Sequence, residues 1–341
     1  MTLAFTICSI NYLAQARTLG DSLKATNPDW QFIIGLVDDL ETANLPAHLL
    51  PAYPMLEVAA LNIPDFRGMC ARYDITELNT AVKPFFIDYF FKSQPRPDAV
   101  IYFDPDIIVF QPLTRLANSL TINSIVLTPH TIAPTPDWET PNEQHHLNTG
   151  IFNLGFIGLR NDETAQQFVA WWQQRLTHEC RIDLCEGLFV DQQWVNFAPV
   201  YHDNVLIEKN KGYNVAYWNI HERILIERES RSGGASCTWF VQDPTSDDSV
   251  LARVPLQFFH YSGYGVQKPR EISKYQTRYT FEQRPDLVPL FQLYHNRLIT
   301  NGNDAYRAYP CVYVKPPQVL YYTSLRRLLN VPIRRLTEWI G

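Results

Sequence analysis

The first forty residues constrain the fold most. "LAFTICS" (3–9) is an apolar run without polar alternation, and "QFIIGLV" (31–37) is a second. Between them "YLAQARTLGDSLKAT" (12–26) puts Leu13, Ala16, Leu19 and Leu23 at helical spacing. A strand with no polar face is covered on both sides, as in a parallel sheet sandwiched by helices. Strand, helix, strand at this spacing predicts a right-handed βαβ unit. The expected class is therefore α/β with a mostly parallel central sheet. With 341 residues, 46% hydrophobic and 19% charged, the chain can build the core such a sheet needs.

The rest of the chain extends this reading. "MLEVAAL" (55–61) is a candidate third strand. "DITELNTAVKPFFIDYFF" (74–91) reads as a long helix, with Asp74 and Glu77 at capping-box positions and Pro84 set to bend or break it. Residues 129–146, rich in proline and polar groups, read as a long loop. "GIFNLGFIGL" (150–159) is another buried strand, 162–177 an amphipathic helix and 187–196 a short helix. Two β-rich segments flank a hairpin turn at 230–236, and "PLQFFHYSGYG" (255–265) begins as a strand and ends in a glycine loop. Residues 287–299 look helical. The simplest parse is one domain over 1–270 with a helical C-terminal extension over 271–341.

Net charge is −6 and no long basic stretch occurs, which argues against a nucleic-acid partner. The six cysteines are scattered, and Cys180 and Cys185 lack the second pair a zinc site needs. They read as reduced, mostly buried thiols. The N-terminus has no basic leader or small-residue cleavage site, and no apolar stretch is long enough to cross a bilayer. A cytoplasmic setting is the expectation.

One apolar segment carries an anomaly. In "VIYFDPDIIVF" (100–110), Asp104 and Asp106 interrupt two short strands. Pro105 has no N–H for a ladder, so the aspartates belong at a strand end or in a tight turn. Two carboxylates this close repel and resist burial. A hard divalent cation such as Mg²⁺ or Mn²⁺ resolves both problems, whereas a solvated turn would not need apolar runs on either side. No G-x-G-x-x-G, P-loop or G-x-S-x-G is present, so dinucleotide, P-loop and serine-hydrolase chemistry lose their main support.

The segment "YFDPDIIVF" resembles the DxD segment of metal-dependent glycosyltransferases of the GT-A fold. The pattern is most similar to glycosyltransferase family 8, which includes glycogenin and bacterial lipopolysaccharide galactosyltransferases. Four further segments follow the family's order: Lys83 in "NTAVKPFF", "FNLG" from Phe152 to Gly155, "VDQQWVN" with Asp191 and Gln192, and "HYSGYGVQKP" with His260, Gly263 and Lys268-Pro269. The last segment is longer than the family's, so Gly263 and Gly265 both compete for its glycine position. The family's aspartate in the first nucleotide loop is absent, and that loop reads Ser9-Ile10-Asn11-Tyr12. Residues 271–341 lie outside the resemblance.

The resemblance implies a single GT-A domain that takes a nucleotide-diphosphate sugar, with a UDP sugar expected. It implies Mn²⁺ or Mg²⁺ on Asp104, Asp106 and His260. Ser9, Asn11, Tyr12 and Asp38 would face the nucleotide, and Lys83, Asp104, Asn153, Gly263, Gly265 and Lys268 would complete the donor site. Asp191 would bind sugar hydroxyls, and Gln192 would sit opposite the leaving group. Transfer would go to a glycan or lipid-linked acceptor with retained anomeric configuration, as in lipopolysaccharide or glycan biosynthesis. Two other readings stand beside it. A sugar nucleotidyltransferase should show a glycine-rich loop after the first strand, which "CSINYLAQA" lacks, and a non-catalytic binding member would not need Asp104, Asp106, His260 and Asp191.

Asp137, Trp138 and Glu139 suit a sugar ring and its hydroxyls, while His145 and His146 read as exposed loop histidines. Trp171 and Trp172 read as core packing. The tail 318–341 interleaves arginine pairs with Leu, Tyr and Trp, which fits peripheral contact with an anionic membrane face as well as a docked helix.

Overall fold

The computed structural model describes residues 1–229, 237–244 and 253–314. Its strands, in chain order, are β1 (Thr2–Cys8), β2 (Gln31–Leu36), β3 (Met55–Glu57), β4 (Ala99–Phe103), β5 (Ile107–Val109), β6 (Ile125–Pro129) and β7 (Phe152–Arg160). They continue as β8 (Ile182–Asp183), β9 (Leu188–Phe189), β10 (Val205–Ile207), β11 (Ile224–Glu229), β12 (Cys237–Gln242), β13 (Arg253–Pro255) and β14 (Phe258–His260). Seven of them form one sheet in the order β10-β6-β7-β4-β1-β2-β3. All its pairings are parallel except those of β7, which runs antiparallel to β4 and β6. The β1-helix-β2 unit expected from the first forty residues is present, with the helix at Leu13–Thr26.

Alternation along the strands feeds two cores. Ile101 and Phe103 of β4 point to the face covered by Leu13–Thr26 and Val288–Thr300. Val100 and Tyr102 point to the face covered by the helices Lys83–Lys92 and Glu163–Glu179. Leu290, Phe291, Tyr294 and Tyr306 share the first core with Leu13, Leu19 and Leu23, so the segment after 286 is packed on the sheet layer.

Several boundaries differ from expectation. The long helix divides into Ile75–Ala81 and Lys83–Lys92, with Pro84 in the first turn of the second and the Asp74–Glu77 capping box formed. Only Met55–Glu57 of the third strand is extended, and Val58–Leu61 turns into a 3-10 helix ended by Asn62 at φ 51°. Glu143–Thr149, at the end of the expected loop, is helical because Asn142 caps it. Residues 187–196 begin with β9 and become helical only at Gln192–Val195. β11 and β12 pair antiparallel as expected, while the turn at 230–236 and the tail 318–341 lie outside the described residues.

Candidate metal and donor site

The Asp104-Pro105-Asp106 turn is where the chain changes sheets. Asp104 N–H still donates to Gly155 O at 2.7 Å, the last rung between β4 and β7. Pro105 cannot donate, and the next strand, β5, pairs instead with β14. That register sets Ile107 opposite His260, and Tyr261 N–H donates to Asp106 O at 2.8 Å. His260 is thereby carried to the aspartates. Its Nε2 lies 2.9 Å from Asp106 Oδ1 and 3.5 Å from Asp104 Oδ2. One ligand atom from each residue falls within 4.8 Å of the others, and among the described residues this is the only such group of three.

The imidazole has a built seat. A methyl at Gly155 would stand 2.6 Å from His260 Nδ1 and closer still to Cε1. The glycine of "FNLG" is therefore the space the ring occupies. Trp218 meets the ring edge-on, with centroids 5.2 Å apart.

The electrostatics fit a cation. Burial pushes the Asp104 carboxyl up despite the nearby Lys83 and His260 charges. Burial pulls His260 down, but Asp106 and then Asp104 outweigh it and hold its pKa above the ordinary value. The Lys83 ammonium is already paired with Asp191, and the imidazole nitrogen facing the carboxylates supplies positive charge only by taking a proton. Two carboxylates and one imidazole are a donor set suited to Mn²⁺ or Mg²⁺.

Lys83 is placed differently from its expected phosphate contact. Its ammonium is buried, donates to Leu154 O at 2.9 Å and forms an ion pair with the equally buried Asp191. The helix Lys83–Lys92 packs on the inner face, so this lysine points into the core and neutralises a carboxylate there. Burial still pushes Asp191 up, against Lys83. Asp191 follows Val190, whose φ of 42° is a strained value for a β-branched residue. Trp172, buried as expected, donates its Nε1–H to Asp191 O at 3.2 Å.

Gln192 is held by backbone and by the Asn153 amide. Its Oε1 accepts from Leu154 N at 3.1 Å and from Asn153 Nδ2 at 3.3 Å, and its Nε2 donates to Thr149 O at 2.6 Å. Asn153 Oδ1 accepts from Gly155 N at 3.1 Å and Asn214 Nδ2 at 3.0 Å. "FNLG" and "VDQQ" are thus braced together.

In the first loop, Ser9 Oγ donates to Val37 O at 3.1 Å. Asp38 accepts from Ile10 N at 3.1 Å and from Val312 N at 2.9 Å, so its carboxylate ties three segments together rather than standing free for a ligand. Asn11 Oδ1 is buried without a partner among the described residues. Tyr12 is 41% exposed, and burial of part of its ring, then Asp106, holds its phenol above the ordinary value.

In the glycine loop Lys268 has a local partner. That side chain is 69% exposed and pairs with Glu271 at 3.0 Å, a local contact three residues on. Gly263 has φ 75°, and a side chain there would collide with Ser273 and Tyr275, whereas Gly265 is unhindered. His146 is buried and stacked on His130 at 4.6 Å rather than exposed. Asp137 and Glu139 are held by Arg278 and Thr277, leaving Trp138 91% exposed. Tyr102, Asn214 and Trp218 were not singled out from the sequence. For Tyr102 a signal existed, since positions i and i+2 of a strand share a face with Asp104.

A 780 Å³ cleft touches Thr2, Asp98, Ala99 and Arg160, at the opposite end of β1 and β4 from the aspartates. In open α/β sheets ligands sit at the carboxyl ends of the strands, where Asp104 and the 9–12 loop both lie.

No protein-family model matches the chain. The uncharacterised protein YfnF of Bacillus subtilis (strain 168) is 25% identical over 300 residues, covering 87% of this chain and 92% of that protein. Among solved structures, the galactosyltransferase LgtC in complex with donor and acceptor sugar analogues is similar at 17% identity and TM-score 0.49, over 87% of this chain and 95% of that one. The glycosyltransferase GlyE of Streptococcus pneumoniae TIGR4 is similar at 16% identity and TM-score 0.45, over 91% and 65%.

Proposed function

We propose that the chain is a metal-dependent glycosyltransferase of the GT-A fold. It moves a sugar from a nucleotide-diphosphate sugar, a UDP sugar by first choice, to a glycan or lipid-linked acceptor with retention. The observation that carries this reading is the convergence of Asp104, Asp106 and His260 within 4.8 Å at the carboxyl end of β4, beside the loop that follows β1. The order of the five family-like segments supports it.

Asp104, Asp106 and His260 would hold the cation, which when bound supplies Lewis-acid stabilisation to the leaving diphosphate. Ser9, Asn11 and Tyr12 line the nucleotide side, and Asp38 fixes the shape of that loop through Ile10. Gly263, with Gly265 beside it, allows close backbone approach to phosphate. Lys268 reaches phosphate only by leaving Glu271, a change left to donor binding. Lys83 contributes by holding Asp191, which orients toward sugar hydroxyls. Gln192 and Asn153 keep β7 and the Asp191 turn in register. Asp191 is buried and paired, which disfavours double displacement through a carboxylate and favours front-face substitution, with the leaving phosphate assisting deprotonation of the acceptor.

Among the described residues no helix is long and apolar enough to cross a membrane. We place the protein at the cytoplasmic face, with peripheral contact through 318–341, on sequence alone. Deleting 318–341 should abolish sedimentation with anionic liposomes, and unchanged sedimentation removes the membrane contact. The test of the main reading is a thermal-shift screen of nucleotide sugars with and without Mn²⁺. At least one should stabilise the protein only with the metal, and none doing so counts against the function. Product NMR should report the donor's anomeric configuration, and an inverted linkage overturns retention.

A further inference from the structure

Tyr102 is 3% exposed and is held on three sides. Its hydroxyl donates to Asp104 Oδ1 at 2.6 Å. Lys83 Nζ lies 4.2 Å from its ring centroid, over the face. Phe5, its register partner on β1, meets it edge-on with centroids 5.2 Å apart. Strand alternation puts Tyr102 and Asp104 on one face of β4, so the phenol lies under the carboxylate without any distortion of the strand. The two carboxylate oxygens of Asp104 thereby have different jobs. Oδ1 is fixed by the phenol, and Oδ2 is the atom turned to His260 at 3.5 Å.

We infer that Tyr102 is a positioning residue for the metal ligand Asp104 and joins the Lys83–Asp191 pair to the cation site. This rests on the proposed metal-dependent function. The carboxylate needs such a support because it is the end of a strand followed by proline. Asp104 N–H is its last ladder bond, and nothing in the turn restrains its side chain apart from Tyr102 and His260 among the described residues. A hydrogen bond to a ligating carboxylate fixes its rotamer and its charge distribution, and losing such a partner typically lowers metal affinity by about 10–100-fold. The ring is fixed from the other end by Lys83, whose ammonium also holds Asp191. A shift of the Lys83–Asp191 pair is therefore felt at Asp104 through one aromatic ring.

Tyr102→Phe tests this, because it keeps the ring, its Phe5 contact and its place beneath Lys83 while removing only the hydroxyl. Mn²⁺ alone is titrated into metal-free protein by calorimetry, with thermal unfolding of the metal-free form measured in parallel. The expected result is a Kd for Mn²⁺ raised at least about 10-fold with Tm nearly unchanged. Wild-type Mn²⁺ affinity in Tyr102→Phe overturns the positioning role, even if Tm falls, since that pattern means packing alone. Absence of Mn²⁺ binding in the wild-type protein instead removes the metal site and this inference with it. Tyr102→Leu, which also strips the ring from Lys83, should lose more Mn²⁺ affinity than Tyr102→Phe. Equal affinities in the two variants overturn the link to Lys83.

Discussion

Gly155→Ala perturbs the metal seat through a single methyl. Gly155 lies in the middle of β7, in a conformation alanine adopts freely, so the effect is steric rather than conformational. The added carbon would stand 2.6 Å from His260 Nδ1 and 2.9 Å from Asn153 Oδ1, where ordinary contact begins at 3.4 Å. The nearest ring atom, Cε1, would stand at 2.3 Å, so the imidazole must retreat by about 1.1 Å. It has little room, because Trp218 closes one side and the β14–β5 ladder fixes its backbone. Overpacking of this kind costs about 1–3 kcal/mol. A ligand nitrogen displaced by that much lies well outside the roughly 0.2 Å tolerance of a metal bond. The expected outcome is a modest loss of stability in urea unfolding and loss of at least about 10-fold in Mn²⁺ affinity by calorimetry. Gly155→Ala with wild-type Mn²⁺ affinity would refute the claim that the glycine exists to seat His260 as a ligand.

Other predictions follow from buried charge. Lys83→Met leaves Asp191 buried and unpaired, and should cost about 3–5 kcal/mol in denaturant unfolding, with much of it recovered in Lys83→Met/Asp191→Leu. A double variant no more stable than the single would show that the pair does not act as a unit. Burial pushes His146 and His221 down to about 4 in the folded protein. The unfolded chain takes up those protons first, so stability should be full above about pH 6.5 and fall as pH drops toward 4. Replacing both by Asn should flatten that slope in pH-dependent unfolding, and an unchanged slope would mean other groups set it.

Much of the fold was legible because its signals are local. An unalternating apolar run must be covered on both faces, and that alone led from 3–37 to a parallel β1–β2 pair. The candidate cation site was legible in part for a chemical reason, since two carboxylates flanked by apolar strands need a counter-charge, while His260 was added by the family resemblance and lies beside them within 4.8 Å. The pairing of Lys83 with Asp191 was not legible, because the order of the motifs does not say which face of Lys83–Lys92 turns inward. The partner of Lys268 was not legible, since the family-like segment gives no sign that Glu271, three residues on, pairs with it. The supporting role of Tyr102 was signalled only by its sharing a strand face with Asp104, and the space-giving role of Gly155 was not legible because it depends on where β14 lands, which is set by pairing across about 150 residues.

The most direct measurement is pulsed EPR of Mn²⁺ bound to the protein with UDP. The account predicts coupling to one histidine nitrogen and to UDP phosphorus in the wild type, with the nitrogen signal lost in His260→Gln and binding lost in Asp106→Ala. Mn²⁺ that binds with no histidine nitrogen and no phosphorus coupling would contradict the metal site and, with it, the proposed sugar transfer.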